Sequence, residues 1–307
     1  MTCNASGACV SRVTTFTYPT ASGSRAIVPR NSDGTLWFVE RTSGLLGRVT
    51  VATGAITEIN PQNPYGVGWA TDIAATADGS IWYTDSGAYA VGRMNPQGQF
   101  SFFPFSSLNS DVEGLAVRGT NEIWVGLWGN AGASDYILHL DGTTGAVAQS
   151  FPMPQNTAPL SMTAGPDGNI WFVEYEAPGV GRITPTGQIT HFLLPSDVPM
   201  NPDAIAVGSD GALWFGGGAS DAMGRITTAG AMTFFAAGDI IDTIVSGPDG
   251  NLWYTGYNGT LGRMTTAGVD TVYHFPGQNP CGLAFGNDGN AWFTDDNAST
   301  ITRFKLH

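Results

Sequence analysis

Apolar and polar positions alternate along this 307-residue chain in short runs, and the runs recur. The clearest stretch is Gly165-Pro166-Asp167-Gly168-Asn169-Ile170-Trp171-Phe172-Val173-Glu174, then Val180-Gly181-Arg182-Ile183-Thr184, then Gly187-Gln188-Ile189-Thr190-His191-Phe192. Near-copies read SDGTLWFVE, ADGSIWYTD, SDGALWFGG, PDGNLWYTG and NDGNAWFTD; another, RGTNEIWVG, lacks the Asp-Gly. Trp37, Trp82, Trp124, Trp171, Trp214, Trp253 and Trp292 hold one position of the phrase, spaced by 45, 42, 47, 43, 39 and 39 residues. Alternation with period two predicts strands, and Asp-Gly predicts a tight hairpin turn because Gly supplies a positive φ. Each repeat predicts four short strands, and four strands per 40–45 residues is the period of a propeller blade.

The expected fold is therefore all-β, a seven-bladed β-propeller of four-stranded blades. The last copy ends after Ile301-Thr302-Arg303-Phe304 with only three strands. Val13-Thr14-Thr15-Phe16-Thr17-Tyr18-Pro19 is predicted to supply the fourth, closing the ring and removing its open edge. Residues 1–12 read as an extended leader and residues 13–307 as one propeller domain.

Composition narrows the function. Hydrophobic residues make up 42% and charged residues 12%, enough apolar surface for a core and too little charge for disorder. The net charge of −13, with Lys305 as the single lysine, argues against nucleic acid and anionic membranes as partners. No apolar run is long enough to span a bilayer. Cys3, Cys9 and Cys281 are too few, and odd in number, for a disulfide scaffold, although Cys3 and Cys9 are close enough in sequence to pair. Acceptor patterns at Asn4, Asn258 and Asn297 lean towards a secreted or secretory-pathway protein, with the cytoplasm as the alternative. A monomer is expected.

One residue per blade at a fixed place is architecture. The repeated tryptophans are expected to pack the core. Arg48, Arg93, Arg182, Arg225, Arg263 and Arg303, with His139 in the third blade, are expected to bridge strands or blades.

The phrases G-P-D-G-x-[IL]-W-[FY] and [IVL]-G-R-[IM]-T, recurring over residues 13–304, resemble the streptogramin B lyase (virginiamycin B lyase-like) family of seven-bladed propellers. The resemblance implies ring opening of a cyclic depsipeptide by elimination, without added water. It further implies a histidine base near the start of the last inner strand, a second histidine in the preceding blade, an acid after the last W-F strand, and a divalent cation. Eleven residues before each Trp, blades two to seven carry Thr71, Glu113, Leu160, Asp203, Asp242 and Cys281, and one extra residue in the first blade gives Arg25. The base position thus holds Cys281, its partner Asp242, and the acid position Asp296. His139, His191, His274 and His307 all fall outside the family pattern.

These departures set the expectations for the site. Asp242, Asp296 and Cys281 are the candidate catalytic residues. Tyr65, Trp69, Trp128, Tyr175 and Tyr257 are expected as aromatic walls around a small-molecule substrate, with Glu113, Leu160 and Asp203 among the binding residues. Aromatic walls without histidine favour an orienting catalyst for apolar natural-product intermediates, since cycloaddition needs little proton transfer. Some fungal propellers that look like this family are implied to be hetero-Diels–Alderases. The alternatives are C–O elimination by the carboxylates or Cys281, with a divalent cation as helper, and a non-catalytic propeller that binds a ligand or protein. No cofactor is expected for cycloaddition, and no residues are assigned to a metal.

Overall fold

A computed structural model of the chain describes residues 2–3, 9–10 and 12–306 except 31, 67, 131, 155 and 219, without the side chains of the first four of these. The backbones of Thr2–Cys3 and Cys9–Val10 pair antiparallel with Cys3 opposite Cys9; whether their thiols bond lies outside the described residues, as do Asn4 and His307.

Seven four-stranded antiparallel sheets follow one another as the blades of a propeller. Their innermost strands are Ser24–Arg30, Ala70–Ala75, Ser110–Arg118, Pro159–Ala164, Ala204–Val207, Ile241–Ser246 and Pro280–Phe285. In the last blade Val13–Thr17 is the outer strand, with Val13 opposite Phe304 and Thr17 opposite Thr300. The ring is closed by head and tail as the truncated last repeat predicts. Among the described residues no helix is long and apolar enough to cross a membrane.

The repeated phrase is explained by packing. The second strand is buried throughout in six blades, as in Thr35–Glu40 and Ile170–Glu174, and in the third, Glu122–Gly129, it is buried except at its ends. In most blades its Trp stacks on an aromatic of the outer strand, as Trp214 on Phe235 at 5.4 Å and Trp292 on Phe16 at 5.5 Å. The ring after the Trp covers the Gly of Gly-Arg: a Cβ at Gly47 would lie 1.8 Å from Phe38 Cζ, and one at Gly262 1.9 Å from Tyr254 Cζ. The following Arg lies over the Trp face, as Arg182 over Trp171 at 5.4 Å. It also bridges blades, since Arg182 Nη1 donates to Thr228 O at 3.0 Å. In the third blade His139 stacks on Trp124 at 4.6 Å instead. The core is a ring of seams between blades: Trp37, Val39 and Leu46 of the first pack with Ile73, Ile81 and Tyr83 of the second.

Candidate active site

Antiparallel pairing fixes which residues gather at each end of the ring. The start of every inner strand faces the end of the second strand, as Ser24 faces Glu40, Ala70 faces Asp85, and Pro280 faces Asp295. The loop residues that follow the second strand therefore share one end with the first residues of the inner strands.

At that end six inner strands break register with their neighbour. The breaks lie between Ser24 and Ile27, Ala70 and Ile73, Val112 and Leu115, Pro159 and Met162, Ile241 and Thr243, and Pro280 and Leu283. A β-bulge leaves residues out of the ladder and re-aims their side chains. The bulged residues are those found by counting back from each Trp, and all but Cys281 line the axial cavity. Threonines two residues past the Trp support the bulge: Asp72 N donates to Thr84 Oγ1 at 2.8 Å, and Gly282 N to Thr294 Oγ1 at 2.9 Å. In the fifth blade Asp203 stands just before the strand, held by its N–H to Gly216 O at 3.0 Å. A Cβ on Gly217, whose φ is +140°, would fall 1.9 Å from Asp203 Oδ1, so glycine there makes room for the carboxyl.

The bulges enclose an axial cavity of about 300 Å³, whose lining includes Arg25, Thr71, Asp72, Glu113, Leu160, Ser161, Asp203, Asp242 and Gly282. Its floor is polar. Burial pushes Asp203 up to about 8, helped by the neighbouring charge of Asp242. Burial likewise raises Glu113 to about 7, against a hydrogen bond from Ser86 Oγ at 3.0 Å. It raises Asp72 to about 6, although the amides of Ile73 and Leu115 donate to its two oxygens at 2.8 and 2.9 Å. Tyr257 Oη donates to Asp203 Oδ2 at 3.3 Å, while Asp203 Oδ1 has no partner. Asp242 is only 8% exposed; its Oδ1 lies 3.8 Å from Arg25 Nη2 and its Oδ2 has no partner.

The other expected residues lie outside this lining. Tyr65, Trp69 and Tyr257 are exposed at 51%, 49% and 45%, so they offer aromatic faces to solvent, and Tyr257 reaches Asp203 through its hydroxyl alone. Trp128 and Tyr175 tilt against each other at 6.3 Å. Asp296 Oδ2 accepts from Arg41 Nη1 at 2.7 Å, and that guanidinium lies 4.7 Å from the Trp69 ring. Cys281 is 4% exposed, and burial followed by the charge of Asp242 pushes its thiol well above the usual range. That works against a nucleophilic thiolate. No histidine of the described residues belongs to the lining. Sequence reasoning missed Asp72 and Ser161, because counting picks one residue per strand where a bulge frees two.

A divalent cation does not fit these donors. Among the described residues no three His, Cys, Asp or Glu side chains gather around one point suited to a metal. The two acids at the partner and acid positions, Asp242 and Asp296, each face a guanidinium of the first blade.

Comparison with known proteins accords with this architecture. A sequence profile described as the Virginiamycin B lyase family matches residues 7–134 and 126–240. A virginiamycin B lyase of Nocardia farcinica is 29% identical over 184 residues, and the match spans 60% of this chain and 60% of that relative. A solved structure described as a streptogramin B lyase superposes with a TM-score of 0.84 at 26% identity, covering 95% of this chain and 96% of that one. A catalytically inactive His-to-Ala variant of virginiamycin B lyase from Staphylococcus aureus, with quinupristin, gives a TM-score of 0.86 at 25% identity, covering 96% and 99%.

Proposed function

This chain belongs to the virginiamycin B lyase family, and from that premise we propose that its axial bowl catalyses a lyase-type elimination on a small molecule, with Asp242 and Asp203 as the proton-transfer pair. The observation that carries the reading is the pair itself. Two carboxyls of neighbouring blades face one cavity, and among the described residues Asp203 Oδ1 and Asp242 Oδ2 accept no close hydrogen bond, although Tyr257 and Cys281 lie beside Asp242.

Burial, with the charge of Asp242 nearby, keeps a proton on Asp203. Asp203 holds that proton near neutral pH, since burial and Asp242 push it to about 8. Asp242, opposite Arg25, is the basic member. In elimination Asp242 takes a proton from carbon, the electron pair left behind becomes a C=C bond, and the adjacent C–O bond breaks. The departing oxygen takes the proton of Asp203, so no water is consumed. Tyr257, bonded to Asp203, orients the acid. The substrate class suggested by the solved relatives is a cyclic depsipeptide.

Cycloaddition is less favoured, because the aromatics expected to stack the reactants lie outside a cavity whose lining sets ionisable groups among aliphatic ones. The test is incubation with a streptogramin B-type cyclic depsipeptide, followed by mass spectrometry. Elimination opens the ring without a change of mass, whereas hydrolysis adds one water. Asp242→Asn and Asp203→Asn are each expected to lower kcat by roughly 10²–10⁴-fold, the usual contribution of a positioned acid or base. Incorporated water, or turnover that survives both substitutions together, overturns the reading.

A further inference from the structure

We propose that Arg25 is a ligand-binding cation of the bowl, taking the place of a divalent ion and receiving a carboxylate or enolate oxygen of the bound molecule. Arg25 occupies the bulge of the first inner strand and, among the described residues, is the only basic one in the cavity lining. Its side chain is 35% exposed, and its nearest anionic contact is the Asp242 oxygen at 3.8 Å, too long for a hydrogen bond. The planar fork of a guanidinium carries five N–H donors. Here, among the described residues, they face the cavity without an acceptor at hydrogen-bond distance.

The other arginines differ. Arg41 is spent on Asp296 at 2.7 Å and on the Trp69 ring. Of the repeated arginines, Arg48, Arg93, Arg182, Arg225 and Arg303 lie over tryptophans, and Arg225 Nε and Arg263 Nε bond to Asp210 and Asp249 at 2.6 Å. The floor does not complete Arg25 either. Asp72 is capped by two backbone amides, and Glu113 accepts from Ser86. Burial opposes the guanidinium's charge, but Asp242, Cys281, Tyr257 and Asp296 more than offset it and keep Arg25 protonated.

A fork of this kind grips a carboxylate, or the paired oxygens of an enolate, through two parallel hydrogen bonds. It also repels a metal ion from the carboxylates that would have to hold it, in keeping with the poor fit of the donor set. The enolate part rests on the elimination reading; the binding of an oxyanion does not.

The test uses the full chain and needs no turnover. Millimolar MgCl₂ or MnCl₂ is expected to leave the thermal midpoint unchanged. Sodium phenylacetate, a carboxylate probe, is expected to give saturation-transfer NMR signals with the wild type and with Arg41→Gln. Arg25→Gln should weaken its binding by about tenfold or more, with Arg25→Lys between, because Lys keeps the charge and loses the fork. A metal-dependent rise in the midpoint that Asp242→Asn abolishes overturns the proposal. So does phenylacetate that fails to bind the wild type, or binds Arg25→Gln equally well. Phenylacetate binding without ring opening of a depsipeptide would sink only the elimination reading.

Discussion

The two ends of the ring use the same side chain in opposite ways. At one end the aspartates of the Asp-Gly turns are surrounded by donors. Asp249 accepts from Trp253 Nε1 at 3.0 Å and Arg263 Nε at 2.6 Å, and Asp210 from Trp214 Nε1 at 3.1 Å and Arg225 Nε at 2.6 Å. Partial burial works against their charge, yet the hydrogen bonds win, bringing Asp249 down to about 2 and lowering Asp210. At the other end Asp203 and Glu113 are pushed up to about 8 and 7, and oxygens of Asp203 and Asp242 lack partners. A carboxylate whose acceptors are filled serves stability. One left unfilled in a cavity costs stability and is available to a ligand, as buried and perturbed groups at functional sites commonly are.

Three measurements would sharpen or break this contrast. The largest effect on stability is expected from Asp249→Ala, which strips the indole of Trp253 and the guanidinium of Arg263 of their acceptor. A loss of about 1–3 kcal/mol in denaturant unfolding is expected, from leaving a sheltered donor unpaired. A loss near zero would mean that solvent already serves the turn.

The second is the pH profile of stability. In the bowl Asp72, Glu113 and Asp203 have folded values raised to about 6, 7 and 8, so the folded chain holds protons more tightly than the unfolded one. Their contribution is full below the ordinary carboxyl range and is lost as pH climbs through 6 to 8. The turn carboxylates have the opposite sign: Asp249, lowered to about 2, contributes above the ordinary range and loses it as pH falls towards 2. Stability should therefore peak in mildly acidic solution and decline towards pH 8. A thermal midpoint that rises from pH 5 to 8 would contradict this.

The smallest effect is expected from Asp203→Asn. It removes a charge the bowl disfavours, so at pH 8 the midpoint should rise by about 2 °C, the shift of roughly 1 kcal/mol in a large domain. The same change at Asp249 should lower it, and equal signs at the two ends would erase the distinction.

Much of the bowl was legible in the chain. Counting back from each Trp located Arg25, Thr71, Glu113, Leu160, Asp203 and Asp242, all of which line the cavity. The count works because the bulge recurs at the same distance from the Trp. It failed to find Asp72, the second residue freed by its bulge. The aromatic walls expected of Tyr65 and Trp69 lie outside the lining, because these residues sit on a loop whose direction no periodicity encodes. Cys281 was legible as a position of the ring, and the structure buries its thiol.

The repeat by itself determined the blade, the blade number, the closure by Val13–Thr17 and the ring of mouth positions. The blade and its mouth position follow from contacts within one or two repeats, which leave a period in the chain, and the closure follows from the strand that the truncated last repeat lacks. Only the tertiary structure decided that Arg41 meets Asp296, 255 residues away, and that Arg25 faces Asp242 without bonding it. Closing the ring brings distant residues to a common axis. Their protonation then answers to the summed field and burial of the whole bowl, which no single repeat contains.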